Sequence, residues 1–152
     1  MNVKPINDEH FMKQALVQAS MALEKDEVPV GAVIVCNNQI IARAFNLTQT
    51  LNDPTAHAEM QAFTAASDYL GGKYLNECTL YVSLEPCVMC AGAAFWVQIG
   101  RVVYGAADAK RGYSILNSSV LHPKTKTTGG ILAEESELLL KTFFSNKRKN
   151  NN

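Results

Sequence analysis

The chain has 152 residues, 47% of them hydrophobic, and no net charge at pH 7. That length suits a single domain over residues 1–152, which at this size buries roughly 70% of its unfolded surface. Residues 1–5 lack the apolar core of a signal peptide, and the longest apolar run, residues 87–97, is eleven residues long, short of the ~18 that a membrane span needs. A cytoplasmic protein is expected, with Cys36, Cys78, Cys87 and Cys90 reduced. The charge is unevenly spread. Residues 1–100 carry five Lys/Arg against ten Asp/Glu, and residues 101–152 carry nine against four. A basic C-terminal third permits a nucleic-acid contact, although solvated surface charge is the simpler explanation.

In chain order, residues 8–25 form an amphipathic helix, with Asp8 as N-cap and Phe11, Ala15, Ala19 and Leu23 at helical spacing. Residues 26–31 lead into a continuously apolar strand, 32–36, of the kind buried on both faces. Asn37-Asn38 turns the chain, and residues 39–45 return as a second strand ending at Asn46. Cys36 reads as a small buried hydrophobe. A polar loop follows, then a helix over residues 56–70 with Met60, Phe63 and Ala66 inward, stopped by Gly71-Gly72. Residues 79–85 alternate as a third strand, with Cys78 at its start read as structural. Pro86 ends the strand and introduces a helix. Residues 100–106 make a fourth strand. Residues 107–130 are a long irregular segment containing His122, which reads as a structural or rim residue. A last helix starts near Leu132, and residues 146–152 read as a flexible tail. This order gives an α/β protein: a three-layer α/β/α sandwich around a mixed sheet of about five strands, with parallel crossovers at the later ones.

The chemistry lies at two helix starts. Cys87 and Cys90 stand at i and i+3, which puts both sulfurs on one face of a first turn. The positive end of that helix favours thiolates. In the stretch Asp53-Pro-Thr-Ala-His-Ala-Glu59, His57 supplies a third ligand. Glu59, two residues on, does not face the same edge of a metal, and is read as reaching an open fourth position. Three protein ligands with an open position describe a catalytic zinc, one per subunit. Zinc brings the pKa of a bound water near neutrality, so hydroxide attack on an amidine-like carbon follows, with Glu59 moving the proton and ammonia leaving. His-x-Glu followed by Pro-Cys-x-x-Cys is the pattern of zinc nucleobase deaminases. The competing readings are a non-catalytic zinc protein that binds RNA, which leaves Glu59 without a role, and a redox Cys-x-x-Cys, which leaves His57 and Glu59 without one.

On Glu27-Val-Pro-Val-Gly-Ala-Val33, Asn46, the His57 stretch, residues 79–93, Ile99-Gly-Arg-Val-Val-Tyr-Gly-Ala106, Asp108-Ala-Lys110, Leu121-His-Pro123, Gly130-Ile-Leu-Ala133 and Phe143-Phe144, the chain resembles bacterial tRNA-specific adenosine deaminases along most of its length. The resemblance implies a cytidine-deaminase-like fold, a homodimer, and conversion of wobble adenosine 34 in a tRNA anticodon loop to inosine, by zinc-bound hydroxide attack at C6. It implies His57, Cys87 and Cys90 as zinc ligands and Glu59 as proton shuttle. It places Asn46, Val30, Leu84 and Pro86 at the base, and Asp108, Lys110, Lys147 and Arg148 at the nucleic-acid backbone. Phe95-Trp96 is similar to the Tyr-Trp pair of guanine deaminases of the same fold, so free guanine is the alternative substrate. Trp96 itself reads as core or dimer-interface packing.

Overall fold

The computed structural model describes residues 7–116 and 118–151. The signal-peptide reading of residues 1–5 and the last position of the expected tail, residue 152, lie outside them. The elements are α1 (Asp8–Glu24), β1 (Gly31–Cys36), β2 (Gln39–Phe45), α2 (Ala58–Leu70), β3 (Cys78–Leu84), α3 (Val88–Val97), β4 (Arg101–Ala106), a short 3-10 turn (Tyr113–Ile115), β5 (Lys126–Thr128) and α4 (Ala133–Asn150). The five strands form one sheet in the order β2-β1-β3-β4-β5. β1 runs antiparallel to β2 and to β3, whereas β3, β4 and β5 are parallel. The sheet is therefore mixed, as the alternation of elements in the sequence requires.

Side-chain alternation sorts the core into two layers. Ala32, Ile34, Leu80, Val82 and Val102 face α2 and α3, where they meet Ala58, Ala62, Phe63, Ala91 and Ala94. Val33, Val35, Tyr81 and Val103 face the other way, against Phe11, Met12 and Ala15 of α1. Strands buried on both faces read as continuous apolar runs, which is why residues 32–36 show no polar alternation. In α2 the inward positions are Ala62, Phe63 and Ala66, while Met60 is only half-buried.

Several boundaries differ from those expected. The N-cap of α1 is Asn7, whose side chain accepts from the His10 amide. Asp8 is instead held by a two-pronged pair with Arg101, at 2.8 and 2.7 Å, and accepts from the Tyr81 hydroxyl at 2.8 Å. Arg101 also donates to Thr128 Oγ1 at 2.9 Å, so one guanidinium ties α1 to β4 and β5. The Arg101 hydrogen bond holds the Asp8 carboxyl below its ordinary range against the opposing effect of burial. Within residues 107–130, the 3-10 turn and β5 give order to a segment expected as irregular. The expected tail continues as helix to Asn150. Its basic last turn complements the helix dipole, and Lys147 is anchored by Asp26 at 2.7 Å. Trp96 is 76% exposed, which excludes the core reading within one chain.

α1 is seated on β1 without any space between them. A Cβ on Gly31 would collide with the Ala15 carbonyl, the Ala19 amide and the Gln18 side chain. The Gly31 amide in turn donates to Ser83 Oγ at 3.1 Å, across to β3. Gly31→Ala should therefore destabilise the fold by at least the 1–3 kcal/mol typical of overpacking, roughly, because the obstruction is backbone and cannot rotate away. Urea denaturation checks this, and an unchanged midpoint would contradict the contact.

Candidate active site

Two helix N-termini converge beyond the carboxyl end of β3. His57 is the N-cap of α2 and Cys87 the N-cap of α3, both with extended backbone, and Cys90 lies in the first turn of α3. Pro86 holds the preceding residue, Glu85, out of helical geometry, so the helix begins only after it. The His57 Nδ1 atom stands 3.7 Å from Cys87 Sγ and 3.5 Å from Cys90 Sγ. These three donor atoms lie within 4.8 Å of one another, and among the described residues no other group of His, Cys, Asp or Glu meets that test.

The donor set fits zinc. With Zn–S near 2.3 Å and Zn–N near 2.05 Å, the sulfur-to-nitrogen edge of a tetrahedron is about 3.6 Å, which is what the two observed separations bracket. The charges agree as well. Cys87 is pushed down to about 4, first by the hydrogen bond from Cys90 and then by His57. Cys90 is pushed up by the same contact with Cys87 and by burial. The cluster thus favours the thiolate at Cys87, and a dication needs both sulfurs deprotonated. Contact with Cys87 raises the His57 imidazole.

Glu59 does not belong to the ligand cluster. It is the second residue of α2, 4% exposed, and lines the same cleft as His57 and Cys87. Burial raises its carboxyl above the usual carboxylate range, the direction a general acid–base group needs near neutral pH.

The cleft measures about 1270 Å³. Of the residues expected around it, Val30, Asn46, Leu84, Asp108, Lys110 and Arg148 line it. Pro86 does not. It is fully buried behind Cys87, and its carbonyl accepts from the Tyr113 amide at 2.9 Å. Lys147 does not either, since it turns to Asp26 on the α1 side. His122 is also outside: its Nδ1 accepts from the Lys124 amide at 3.2 Å and its ring rests on Phe95. Asn46 is buried. It donates to the Val28 carbonyl and accepts from the Thr48 amide, each at 3.3 Å. One N–H and one lone pair of the amide are left for a ligand. Lys141 and Arg111, which line the cleft together with Phe144, carried no sequence signal of their own.

Two buried carboxylates that the sequence reading missed shape the lips. Glu27 accepts from the Gln49 and Thr50 amides at 3.0 and 2.7 Å and from the Thr50 hydroxyl at 2.7 Å, fixing the loop after β2. Glu85 accepts from the Asp108 amide at 3.2 Å, the Ser114 amide at 3.0 Å and the Ser114 hydroxyl at 2.7 Å, fixing the loop after β4. Gly112 is required beside it, because a Cβ there would strike the Glu85 carboxylate.

Residues 5–106 match the family described as cytidine and deoxycytidylate deaminase, zinc-binding region. A tRNA-specific adenosine deaminase of Aquifex aeolicus (strain VF5) is 46% identical over 147 residues, covering 93% of this chain and 97% of that protein. A structure solved in work on A-to-I editing by tRNA:A34 deaminases at the wobble position is similar at a TM-score of 0.81 and 43% identity, over 86% of this chain and 99% of that one. A guanine deaminase from Bacillus subtilis is similar at a TM-score of 0.64 and 44% identity, over 66% of this chain and 65% of its own.

Glu85→Ala leaves the Asp108 and Ser114 amides without their acceptor, and should cost roughly 1–3 kcal/mol of stability, read as a lower denaturation midpoint. Glu27 gives a pH signature. Burial would raise its carboxyl, but the Gln49 and Thr50 hydrogen bonds outweigh that and lower it. Its stabilisation is therefore complete above the ordinary carboxylate value of about 4.3 and is lost as pH falls through the lower folded value. Glu27→Gln should lower stability at neutral pH and flatten its acid dependence, and an equally steep acid limb in the variant would contradict this.

Proposed function

The chain belongs to the zinc-dependent deaminases, among the tRNA-specific adenosine deaminases, and from that membership we propose that it converts adenosine to inosine at wobble position 34 of a tRNA anticodon loop. The observation that carries the substrate choice is the shape and charge of the cleft. It runs from His57, Glu59 and Cys87 out to Lys110, Arg111, Lys141 and Arg148, with Phe144 among them. A free purine needs no cationic rim. A looped-out RNA base does, because its flanking phosphates come with it. Phe144 is about half exposed and offers a stacking surface for a neighbouring base. Among the solved structures, the likeness in fold to the one from work on tRNA:A34 deaminases, at a TM-score of 0.81, is closer than that to the Bacillus subtilis guanine deaminase, at 0.64.

In this reading His57, Cys87 and Cys90 hold the zinc, which when bound polarises a water and brings its pKa toward neutrality. Glu59 takes one proton from the attacking water to N1 of the purine and then carries the second, from the hydroxyl on C6, to the departing amine. Oxygen adds at C6, the C6–N bond breaks, ammonia leaves and the C6 carbonyl of inosine remains. The free N–H and lone pair of Asn46 orient the base edge, and Val30 and Leu84 wall the pocket and limit bulk water. The buried position of Glu59 keeps its proton for the reacting base. The working enzyme is a homodimer in the cytoplasm. The apolar surface on α3, where Trp96 and Val88 are exposed, supports pairing of two copies. Among the described residues no helix is long and apolar enough to cross a membrane.

Zinc-loaded protein incubated with an adenosine-34 tRNA transcript should yield inosine at that position, read as guanosine on sequencing. Stripping the metal with a chelator should abolish the reaction and added zinc restore it. Glu59→Gln should keep its zinc while losing roughly 10²–10⁴-fold in rate. No inosine, with ammonia released from free guanine in a parallel reaction, would overturn the substrate; full activity in Glu59→Gln would overturn the mechanism.

A further inference from the structure

The two cysteines outside the metal cluster are also brought together. Cys36 and Cys78 are register partners across antiparallel β1 and β3. The Cys78 amide donates to the Leu75 carbonyl at 3.0 Å, and its carbonyl accepts from the Gly100 amide at 3.1 Å. Both of its backbone polar groups therefore turn away from β1, which makes this a non-hydrogen-bonded pair. Such pairs bring their Cα atoms to about 4.5 Å, within the roughly 4.4–6.8 Å span of disulfides. Cys78 is buried and Cys36 half-buried, next to the exposed turn at Asn37-Asn38. Neither lines the catalytic cleft. They stand at the opposite end of β3 from Cys87, so zinc does not protect them.

We propose that Cys36 and Cys78 form a modification site, a dithiol that hydroperoxides oxidise to a cross-strand disulfide. Cys36 is the accessible sulfur and attacks first. The peroxide O–O bond breaks, one oxygen leaves as water, and a sulfenic acid forms on Cys36. The Cys78 sulfur then displaces that hydroxyl as a second water and gives up its own proton. One S–S bond replaces two S–H bonds, and the peroxide has accepted the two electrons. Burial, first among the causes, pushes the Cys78 thiol up to about 12, so it does not initiate; its place directly across from Cys36 makes it the sulfur that meets the sulfenic acid. The product joins the first strand of the hairpin to the strand that leads to Cys87.

The test uses the zinc-loaded full chain, treated with hydrogen peroxide, alkylated under denaturing conditions and digested with trypsin and chymotrypsin. Mass spectrometry should find the protein lighter by two hydrogens, with residues 36 and 78 on linked peptides. Cys87 and Cys90 should be alkylated, zinc content unchanged and the link reversed by dithiothreitol. Cys36→Ser, a near-isosteric change at the half-buried position, should lose the link and keep its zinc. Recovery of Cys36 and Cys78 as free thiols would overturn the proposal. So would Cys36 sulfinic acid beside alkylated Cys78, or a link that persists in Cys36→Ser.

Discussion

Three donor atoms from two helix starts must meet within a few ångströms at one end of a sheet, and most of the fold serves that requirement. His57 and Cys87 are both N-caps, so neither can move without unwinding the start of its helix. α2 and α3 pack on the same face of the sheet through small residues: Ala58, Ala62 and Ala66 from one, Ala91 and Ala94 from the other. Alanine contacts let the helices lie close, and closeness of their axes brings His57 Nδ1 to the two sulfurs. The electrostatics reinforce the packing, because two positive helix ends favour the anionic sulfurs that a dication needs.

The open side of the cluster is organised differently. There the structure relies on loops, and loops hold a shape only when their backbone groups are satisfied. Glu27 and Glu85 do this from inside, each presenting a buried carboxylate to the amides of a loop more than twenty residues away. The loop held by Glu85 carries Asp108, Lys110 and Arg111 to the mouth of the cleft. The loop held by Glu27 lies beside Asn46. Opposite them α4 contributes Lys141, Phe144 and Arg148, which recur on one helical face at i, i+3 and i+7. The deep end is thus fixed by helix packing and the rim by two buried anions.

The deep end was legible in the sequence because its signal is local. His57-Ala-Glu59 and Cys87-x-x-Cys90 each lie within one helical turn, and spacing alone says which atoms share a face. Four of the five strands showed themselves as apolar or alternating runs, and the mixed sense followed from the order of elements. The rim was less legible, because its signal is tertiary. Glu27 and Glu85 look like surface charges until the loops that bury them are in place. Lys147 and Arg148 are adjacent in sequence, yet about 100° of helical rotation separates them, and only the docking of α4 decides that Arg148 faces the cleft. β5 is three residues long, too short for a period-two pattern. Asn7 and Asp8 are equally good caps by residue type; the guanidinium that takes Asp8 away, from Arg101, lies on a strand that begins 93 residues later. The Cys36–Cys78 pair could not be read either, since it depends on strand register.

The proposed reaction, which draws on the metal end and the rim of one cleft, says which atoms react: water oxygen ends on C6 of a purine held in RNA. Single-turnover reaction of the zinc-loaded protein with an adenosine-34 tRNA in water labelled with heavy oxygen tests this most directly. One labelled oxygen per inosine, confined to the wobble position, is the predicted result. Unlabelled product, or tRNA adenosine left intact while free guanine acquires the label, would contradict it.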